Sequence, residues 1–324
     1  MLINKREGEY YKSDSGTVGD GRWCGKIFLA PWGNKGPFIS LKRGMEKVRF
    51  KPFSIEVQGR LVGFDRPAVM GILNVTPDSF YDGGRHNGPE ALVDHARKLI
   101  AEGADMVDIG VVSSRPGAQL LPPDVEAERL AEAVRLVRQA LPDAILSVDT
   151  CYSLPALKAI EAGADIVNDI SGGQFDDRMF QTVASLQVPY ILMHNRALPS
   201  EMQQHTGYDD IIDDLAKYFS AKLDSLYRLG VKDVWIDPGF GFAKTVEENY
   251  ELLDRLDELT TLFREPLLTA LSRKSMIYKK LGTTPEEALT GTIALDAVAL
   301  VKGSRLLRVH DPKPALETIK LLSI

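Results

Sequence analysis

The sequence predicts an α/β protein built as a (β/α)₈ barrel, and three observations carry that prediction. From residue 69 onward, short runs rich in Val, Ile and Leu alternate with longer amphipathic segments. Such runs are typical of strands in a parallel sheet that is covered on both faces. Eight of them occur at even spacing, over the roughly 250 residues that a closed barrel occupies. An open, doubly wound sheet is the alternative, but no G-x-G-x-x-G follows the first strand.

A β-hairpin is expected just before the barrel. The stretch "FSIEVQGRLVGF" (53–64) alternates apolar and polar residues around a turn at Gln58-Gly59. The eight barrel strands are then predicted at residues 69–75, 106–110, 144–149, 165–169, 188–194, 234–239, 267–272 and 305–310.

Each strand is expected to lead into a helix. The first such segment has an apolar stripe formed by Leu92, Ala96, Leu99 and Ile100. Several segments end on a glycine that precedes the next strand, and we expect left-handed helix caps at Gly103, Gly163 and Gly230.

The N-terminal part of the chain differs in composition from the rest. Residues 1–51 contain 11 Lys and Arg against 5 Asp and Glu, with eight glycines and no clean periodicity. We therefore expect a flexible, disordered, basic extension over 1–51 and a (β/α)₈ barrel domain over 52–324. Met45 is a second candidate start of the chain. The remainder is acidic, and the whole chain carries a net charge of −6.

Composition excludes several function classes. Two cysteines are too few for a disulfide framework or a cysteine-rich metal site, which favours a reducing, cytoplasmic location. No apolar run approaches the roughly 20 residues of a membrane helix. The negative net charge argues against a nucleic-acid partner. We expect a small-molecule enzyme rather than a membrane or nucleic-acid protein.

Nearly every predicted strand ends in a polar side chain. Functional residues of such barrels lie at the C-terminal ends of the strands, so these side chains should meet at one rim. Any one of them could instead cap the following helix, but eight at one rim favour a site. They are Asn74, Asp108, Asp149, Asn168 with Asp169, His194, Asp237, Ser272 with Arg273 and Lys274, and Arg308 with His310.

These residues fall into two chemical classes. Asp149, Asn168 and Asp237 suit a flat heterocycle whose edge carries N–H donors, because a carboxylate accepts two parallel hydrogen bonds. The cations suit a phosphate, and "SRKS" also opens the next helix, whose free N–H groups favour anions. Arg115 lies on a Ser-containing loop after the second strand. The "DPGFGFAKT" loop is expected to bring Phe240 and Phe242 near the rim for stacking.

The motifs "MGILNVTPDSF", "SSRPGA", "SVDT", "NDISGG", "LMHN", "DPGFGFAKT", "SRKS" and "RVHD" occur in the order and spacing of dihydropteroate synthases. Over about residues 56–322 the sequence resembles that family, whose members are dimeric (β/α)₈ barrels and sulfonamide targets of folate biosynthesis. The resemblance implies a transferase that joins p-aminobenzoate to 6-hydroxymethyl-7,8-dihydropterin diphosphate and releases pyrophosphate with the help of Mg²⁺.

The resemblance also implies roles for individual residues. The substrate-binding residues it implies are Asp108, Ser114, Asp149, Asn168, Met193, Asp237, Phe242, Lys274 and Ser275. In this set Asp237 accepts from the amino-pyrimidine edge of the pterin, and Ser275 binds the p-aminobenzoate carboxylate. The implied catalytic residues are Arg115, Lys274, Arg308 and His310, and Asn74 is the implied metal ligand.

The sequence departs from the family pattern at three positions. Val111 and Val112 stand where members have a glycine and a polar residue, and Ala270 stands where members often have glycine. Two other functions stay open: a pterin-binding methyltransferase domain that serves a corrinoid protein, and a non-catalytic pterin-binding module. The apolar segment 285–303 is the candidate subunit contact of a homodimer.

Overall fold

The computed structural model describes residues 3–6, 9–12, 50–75, 88–112, 121–198 and 200–322. The chain splits into two units, Met1–Lys42 and Arg43–Ile324. In the first unit, β1 (Ile3–Arg6) pairs antiparallel with β2 (Glu9–Lys12). The expected disordered extension lies mostly outside the described residues, and its boundary at residue 51 stays a prediction.

The described part of the second unit consists of ten strands and ten helices. The strands are β3 (Phe53–Val57), β4 (Arg60–Phe64), β5 (Ala68–Asn74), β6 (Met106–Gly110), β7 (Ile145–Asp149), β8 (Ile166–Asp169), β9 (Tyr190–Met193), β10 (Val234–Asp237), β11 (Leu268–Thr269) and β12 (Leu306–Val309). The helices are α1 (Gly88–Ala101), α2 (Pro123–Ala140), α3 (Ser153–Glu161), α4 (Met179–Leu186), α5 (Ile211–Arg228), α6 (Val246–Asp254), α7 (Leu256–Leu262), α8 (Ser275–Leu281), α9 (Leu289–Val301) and α10 (Pro312–Leu322). None of the described helices is long and apolar enough to cross a membrane.

The eight parallel strands β5 to β12 form the predicted barrel. Strands β5 to β10 are consecutive neighbours, β5 also pairs with β12, and β12 pairs with β11. The ring closes between β10 and β11, where Ile236 bridges Leu267 and the Ile236 N–H donates to the Pro266 carbonyl at 3.1 Å. This closure confirms the barrel and excludes the open sheet.

The predicted hairpin is confirmed and plugs the N-terminal end of the barrel. Its turn residues Gln58 and Gly59 have φ values of 50° and 72°, the combination that a two-residue type I′ turn requires. Ile55 and Phe64 are buried among side chains of the barrel interior, including Trp235. With this end filled by apolar side chains, we expect the ligand site at the opposite end.

The number of helices differs from the predicted one helix after each strand. Two follow β10 (α6 and α7), and two follow β11 (α8 and α9), because Gly282 takes a left-handed φ of 65° and stops α8. The predicted caps Gly103, Gly163 and Gly230 are confirmed, since each ends its helix with positive φ. The predicted helix over 285–303 is observed as α9.

Alternation along the strands decides which residues reach the mouth of the barrel. Met70, Met106 and Trp235 belong to the cluster that fills the barrel interior. Residues two positions further along a strand point to the same side. Asp108 therefore follows Met106 into the interior, and Asp237 follows Trp235. The apolar filling gives way to polar side chains towards the C-terminal ends of the strands.

Candidate active site

A row of strand ends forms one side of the barrel mouth. The parallel register aligns Asn74 with Gly110, Gly110 with Asp149, and Asp149 with Asn168. A Cβ placed on Gly110 would lie 3.4 Å from the Asp149 Cβ and 3.9 Å from the Asn74 carboxamide oxygen. The missing side chain of Gly110 thus keeps the space between Asn74 and Asp149 open. The sequence predicted that these ends would meet, and the register brings them together.

Arg308 links two carboxylates at the centre of the mouth. Its Nε donates to Asp108 Oδ2 at 2.6 Å and its Nη2 to Asp149 Oδ2 at 2.7 Å. Asp108 is fully buried, and the arginine side chain is only 14% exposed. The sequence assigned Arg308 to a diphosphate, whereas in this ligand-free arrangement it neutralises the carboxylates of the predicted pterin pocket.

Asp108 retains an unused acceptor. Asn168 donates its Nδ2 proton to Asp108 Oδ2 at 2.9 Å, so that oxygen serves both Asn168 and Arg308. Among the described residues, the buried Asp108 Oδ1 accepts no hydrogen bond, and the buried Ser147 hydroxyl on the neighbouring strand also has no partner. Because a buried polar atom without a partner is costly, this pair is best explained by a ligand or water that donates to it.

Burial moves the pKa of Asp149 towards neutrality. Desolvation raises the pKa to about 7, the Arg308 charge opposes that rise, and the Asp108 charge adds to it. Asp149 at the mouth is therefore far easier to protonate than an exposed aspartate.

Lys274 reaches the mouth from the opposite side. It precedes α8 as its N-cap residue, and its Nζ donates to the Phe240 carbonyl and lies 4.9 Å from the centroid of the Phe242 ring. Burial lowers the pKa of Lys274 to about 8, and the Asp237 charge opposes this. Asp237 itself is buried and accepts from the Gly239 N–H at 2.8 Å. Burial raises the pKa of Asp237, against the lowering effect of Lys274.

The two predicted aromatic residues separate. Phe242 joins Met193, Cys151 and Ile170 in a small apolar cluster, as its predicted place near the mouth requires. Phe240 is fully buried in the layer between sheet and helices. Its expected position near the mouth was wrong for the ring, because the tight 239–242 turn directs only its carbonyl towards Lys274.

The loops after β11 and β12 are tied together. The Ser272 hydroxyl and His310 Nδ1 lie 2.9 Å apart. Arg273 adopts a left-handed φ of 57° and forms a two-pronged ion pair with Asp311, with contacts of 2.9–3.1 Å. Of the two adjacent cations in "SRKS", Lys274 therefore faces the mouth, whereas Arg273 holds the neighbouring loop. Ser275 is the first residue of α8 and is partly exposed.

Two predicted strand ends have structural roles instead. Asp169 accepts from the Ser171 and Gly173 N–H groups at 2.7 Å and from the Tyr190 hydroxyl at 2.6 Å, so it shapes the turn after β8. His194 is buried beside Lys244, and burial together with that cation keeps its pKa well below the usual range.

Sequence reasoning missed two buried polar residues. Lys244 was the unassigned end of "DPGFGFAKT", yet it is only 3% exposed. Glu126 lies on α2 and accepts from the hydroxyl of Thr150, the residue after Asp149, and burial raises its pKa to about 7. A lysine directly after a Gly-rich strand end was a usable signal, whereas nothing in the helix pattern marked Glu126.

The remaining predicted residues are placed as follows. Ser114 and Arg115 lie outside the described residues, so their roles stay predictions. Val111 is buried in the core between sheet and helices, and Ala270 fills part of the barrel interior. Asn74 is exposed at the end of β5.

Comparison with known proteins agrees with this geometry. Residues 70–310 match the family model described as pterin binding enzyme. The dihydropteroate synthase of Streptococcus pyogenes serotype M3 is 39% identical over 269 residues, which cover 82% of this chain and 98% of that protein. Two solved dihydropteroate synthases superpose with a TM-score of 0.76 at 35% identity: that of Yersinia pestis with a sulfonamide drug (84% of this chain, 98% of that one) and that of Xanthomonas albilineans with 4-aminobenzoic acid (83% and 97%).

The family match runs from within β5 to just beyond β12 and therefore includes every described strand end at the mouth. The chain belongs to the dihydropteroate synthase family of pterin-binding enzymes.

Proposed function

We propose that this chain is a dihydropteroate synthase, a transferase that joins p-aminobenzoate to 6-hydroxymethyl-7,8-dihydropterin diphosphate and releases pyrophosphate. The observation that carries the proposal is the buried mouth, where Asp108, Asn168 and Asp237 offer acceptors and Lys274 a donor. A 2-amino-4-oxo-pyrimidine ring needs that combination, since it has several N–H donors and one carbonyl acceptor.

Pterin recognition is assigned to the strand ends. Asp237 would accept two parallel hydrogen bonds from the amino-pyrimidine edge, and Lys274 would donate to the ring carbonyl. The unused Asp108 Oδ1 supplies a further acceptor. Met193 and Phe242 offer apolar surface to the ring faces.

The diphosphate is assigned to the cationic side of the mouth. Arg308 lies on the inward side of β12, and His310 directly follows that strand. Arg115 belongs to the loop after β6. Asn74 fits Mg²⁺, because its carboxamide is exposed beside the gap at Gly110 and Mg²⁺ takes few protein ligands besides phosphates and waters. The bound metal would neutralise charge on the leaving diphosphate.

The reaction exchanges one bond at the pterin methylene carbon. The bond from that carbon to the diphosphate oxygen breaks, the aryl amine nitrogen forms a bond to the same carbon, and the amine loses a proton to solvent. The aryl amine is a weak nucleophile, so its position matters more than a strong base. Ser275 at the start of α8 is assigned to the p-aminobenzoate carboxylate, where a sulfonamide would compete.

Pyrophosphate release with both substrates tests the function. Purified protein with Mg²⁺ should release pyrophosphate only when both the pterin diphosphate and p-aminobenzoate are present. Lys274→Met should reduce that release, and Lys302→Met, at the far end of α9, should not. Methyl transfer from methyl-folate to a corrinoid protein would favour the methyltransferase, and pterin binding without turnover would favour the binding module.

Two further proposals concern assembly and location. We propose a homodimer whose contact includes α9, because Val301 at its C-terminal end is 50% exposed and Leu281, which lies beside Gly291 of α9, is 59% exposed. Val301→Glu should lower the mass measured by sedimentation from dimer towards monomer. We place the protein in the cytoplasm, where the buried thiol of Cys151 stays reduced.

A further inference from the structure

Lys244 is a buried cation with no assigned task in the proposed reaction. Its Nζ contacts three neutral acceptors: His194 Nδ1 at 3.0 Å, the Gly239 carbonyl at 3.0 Å and the Phe242 carbonyl at 3.1 Å. Burying a charge is costly unless its environment compensates for it. A lysine kept at this position therefore needs a physical reason beyond filling space.

The three contacts converge on the turn that builds one wall of the mouth. Two of them hold the carbonyls of Gly239 and Phe242, the two ends of the 239–242 turn. The turn is compact, because a Cβ on Gly239 would lie 2.1 Å from the His194 carbonyl oxygen. Tyr208 ties the same segment from outside by donating to the Ala243 carbonyl at 3.0 Å.

The 239–242 turn also orients the two charged side chains predicted to bind the pterin, Asp237 and Lys274. The Gly239 N–H donates to Asp237 Oδ1 at 2.8 Å and so fixes the rotation of that carboxylate. The Phe240 carbonyl accepts from Lys274 Nζ, and the Phe242 ring lies beneath the same ammonium. Each end of the pterin-binding arrangement is therefore fixed by an atom of the turn that Lys244 holds.

We propose that Lys244 is a positioning residue of the pterin site, which holds the 239–242 turn in the shape that orients Asp237 and Lys274. The inference rests on the proposed function and deepens it, because it assigns part of pterin affinity to a residue that does not touch the ligand.

The charge of Lys244 has a second effect, on Asp237. Burial raises the pKa of Asp237, and four groups lower it; burial lowers the pKa of Lys244 to about 7, and Asp237 raises it. Loss of the Lys244 charge should therefore raise the pKa of Asp237 further, so that the acceptor carboxylate is lost at a higher pH. The groups that lower the pKa of Asp237 are Lys274, the Gly239 N–H, Arg308 and Lys244. Besides Asp237, the ionisable groups that face Lys244 are His194, Lys274, Arg196 and Glu248.

Lys244→Met, which keeps the length of the side chain and removes its charge and donors, tests the inference. The dissociation constant of a 6-substituted pterin should rise about tenfold or more at pH 8, since the hydrogen bonds by which Lys244 holds the 239–242 turn are lost. The acid limb of the affinity–pH profile should move to higher pH. KM for p-aminobenzoate at saturating pterin diphosphate should change less than twofold by comparison.

Lys302→Met is the matched control. Lys302 also donates to a backbone carbonyl, that of Asp254, and to Asp257 at 3.0 Å, but it lies at the other end of the barrel helices. It should change neither the pterin affinity nor the acid limb. If Lys244→Met does not fold, Lys244→Gln, which keeps one amide donor, replaces it with the same expected changes.

The outcomes distinguish failure of the positioning role of Lys244 from failure of the proposed function. Wild-type affinity in the Lys244 variant, an unmoved acid limb, or an equal loss in the Lys302 variant would overturn the positioning role while the wild type still turns over. Wild-type protein that binds no pterin would overturn the proposed function and this inference with it.

Discussion

At the scale of residues, the mouth is organised by charges that neutralise one another inside the barrel. Arg308 bridges Asp108 and Asp149, and Lys274 faces Asp237. Buried ion pairs contribute little net stability, because desolvation offsets their attraction, but removing one partner leaves a costly isolated charge. The arrangement is therefore better explained by ligand recognition than by stability of the fold.

Asp237→Asn should weaken pterin binding by about 1–3 kcal/mol, because one acceptor becomes a donor that faces a donor. Calorimetric titration with a pterin measures this. Asp233→Asn is the control, since Asp233 precedes the same strand at the plugged end and accepts from Glu56 N–H. Equal pterin affinities of wild type and Asp237→Asn would contradict the assignment of Asp237 to the amino-pyrimidine edge of the pterin.

At the scale of elements, the strand ends and the loops contribute different parts of the proposed site. The strand ends fix the pterin pocket, whereas the residues assigned to the transferring group are spread over the loops after β6, β11 and β12. Ser272, Arg273, His310 and Asp311 join two of these loops through paired contacts. The loop after β6 begins from Val111, whose side chain is packed in the core.

Arg115→Ala should lower turnover at least about tenfold, or about 1.4 kcal/mol in the barrier, if its guanidinium acts mainly in the transition state. Pterin affinity without p-aminobenzoate should hardly change, because the pterin contacts are assigned to the strand ends. Steady-state kinetics beside a binding titration measure both quantities. Loss of pterin binding with turnover of bound substrate intact would place Arg115 in the primary pocket instead.

Helix α9 contains a buried carboxyl whose protonation should affect stability. Asp296 is 2% exposed, its Oδ1 has no hydrogen-bond partner in the described part of the chain, and burial raises its pKa well above the ordinary value. The folded state then keeps a proton that the unfolded chain releases above about pH 4, so this group lowers the free energy of unfolding as pH rises.

Asp296→Asn imitates the protonated carboxyl and should remove that dependence. Relative to wild type, its free energy of unfolding in urea should be similar near pH 4 and higher by about 1–3 kcal/mol at pH 8. Asp94→Asn on α1, where the side chain is 72% exposed, should show no such trend. A constant difference across pH would mean that Asp296 is not protonated in the folded chain.

At the scale of the whole molecule, one end of the barrel is plugged, and the described strand ends at the other end carry charged side chains. The β3–β4 hairpin closes the N-terminal end with Ile55, Val57 and Phe64. All the described candidate substrate contacts lie at the opposite end.

A truncated protein that begins at Met45 should keep the melting temperature and turnover of the full chain, because residues 1–44 lack the apolar periodicity of a packed element. A shorter one that begins at Asp65 should lose several kcal/mol, since the hairpin's buried side chains would be missing. Differential scanning calorimetry with pyrophosphate release measures both. A large loss in the first protein would make residues 1–44 part of the fold or of the site.

Local sequence patterns predict the eight strands, the hairpin with its Gln58-Gly59 turn, and the helix-capping glycines. These features follow from local rules: strand alternation, burial on both faces and left-handed backbone at glycine. The sequence also determined the order of polar strand ends, because the C-terminal ends of parallel barrel strands must share one rim.

Which of those strand ends line the mouth of the barrel depends on contacts that form only in the folded chain. Asp169 and Asp237 look alike in sequence, yet one shapes a turn and the other lines the mouth. Arg273 and Lys274 are adjacent, yet a left-handed φ at Arg273 sends them to Asp311 and to the mouth respectively. Lys244 is recognisable only when three acceptors from two strand ends surround it. Side-chain direction and burial depend on register and on contacts between distant segments, which no local pattern contains.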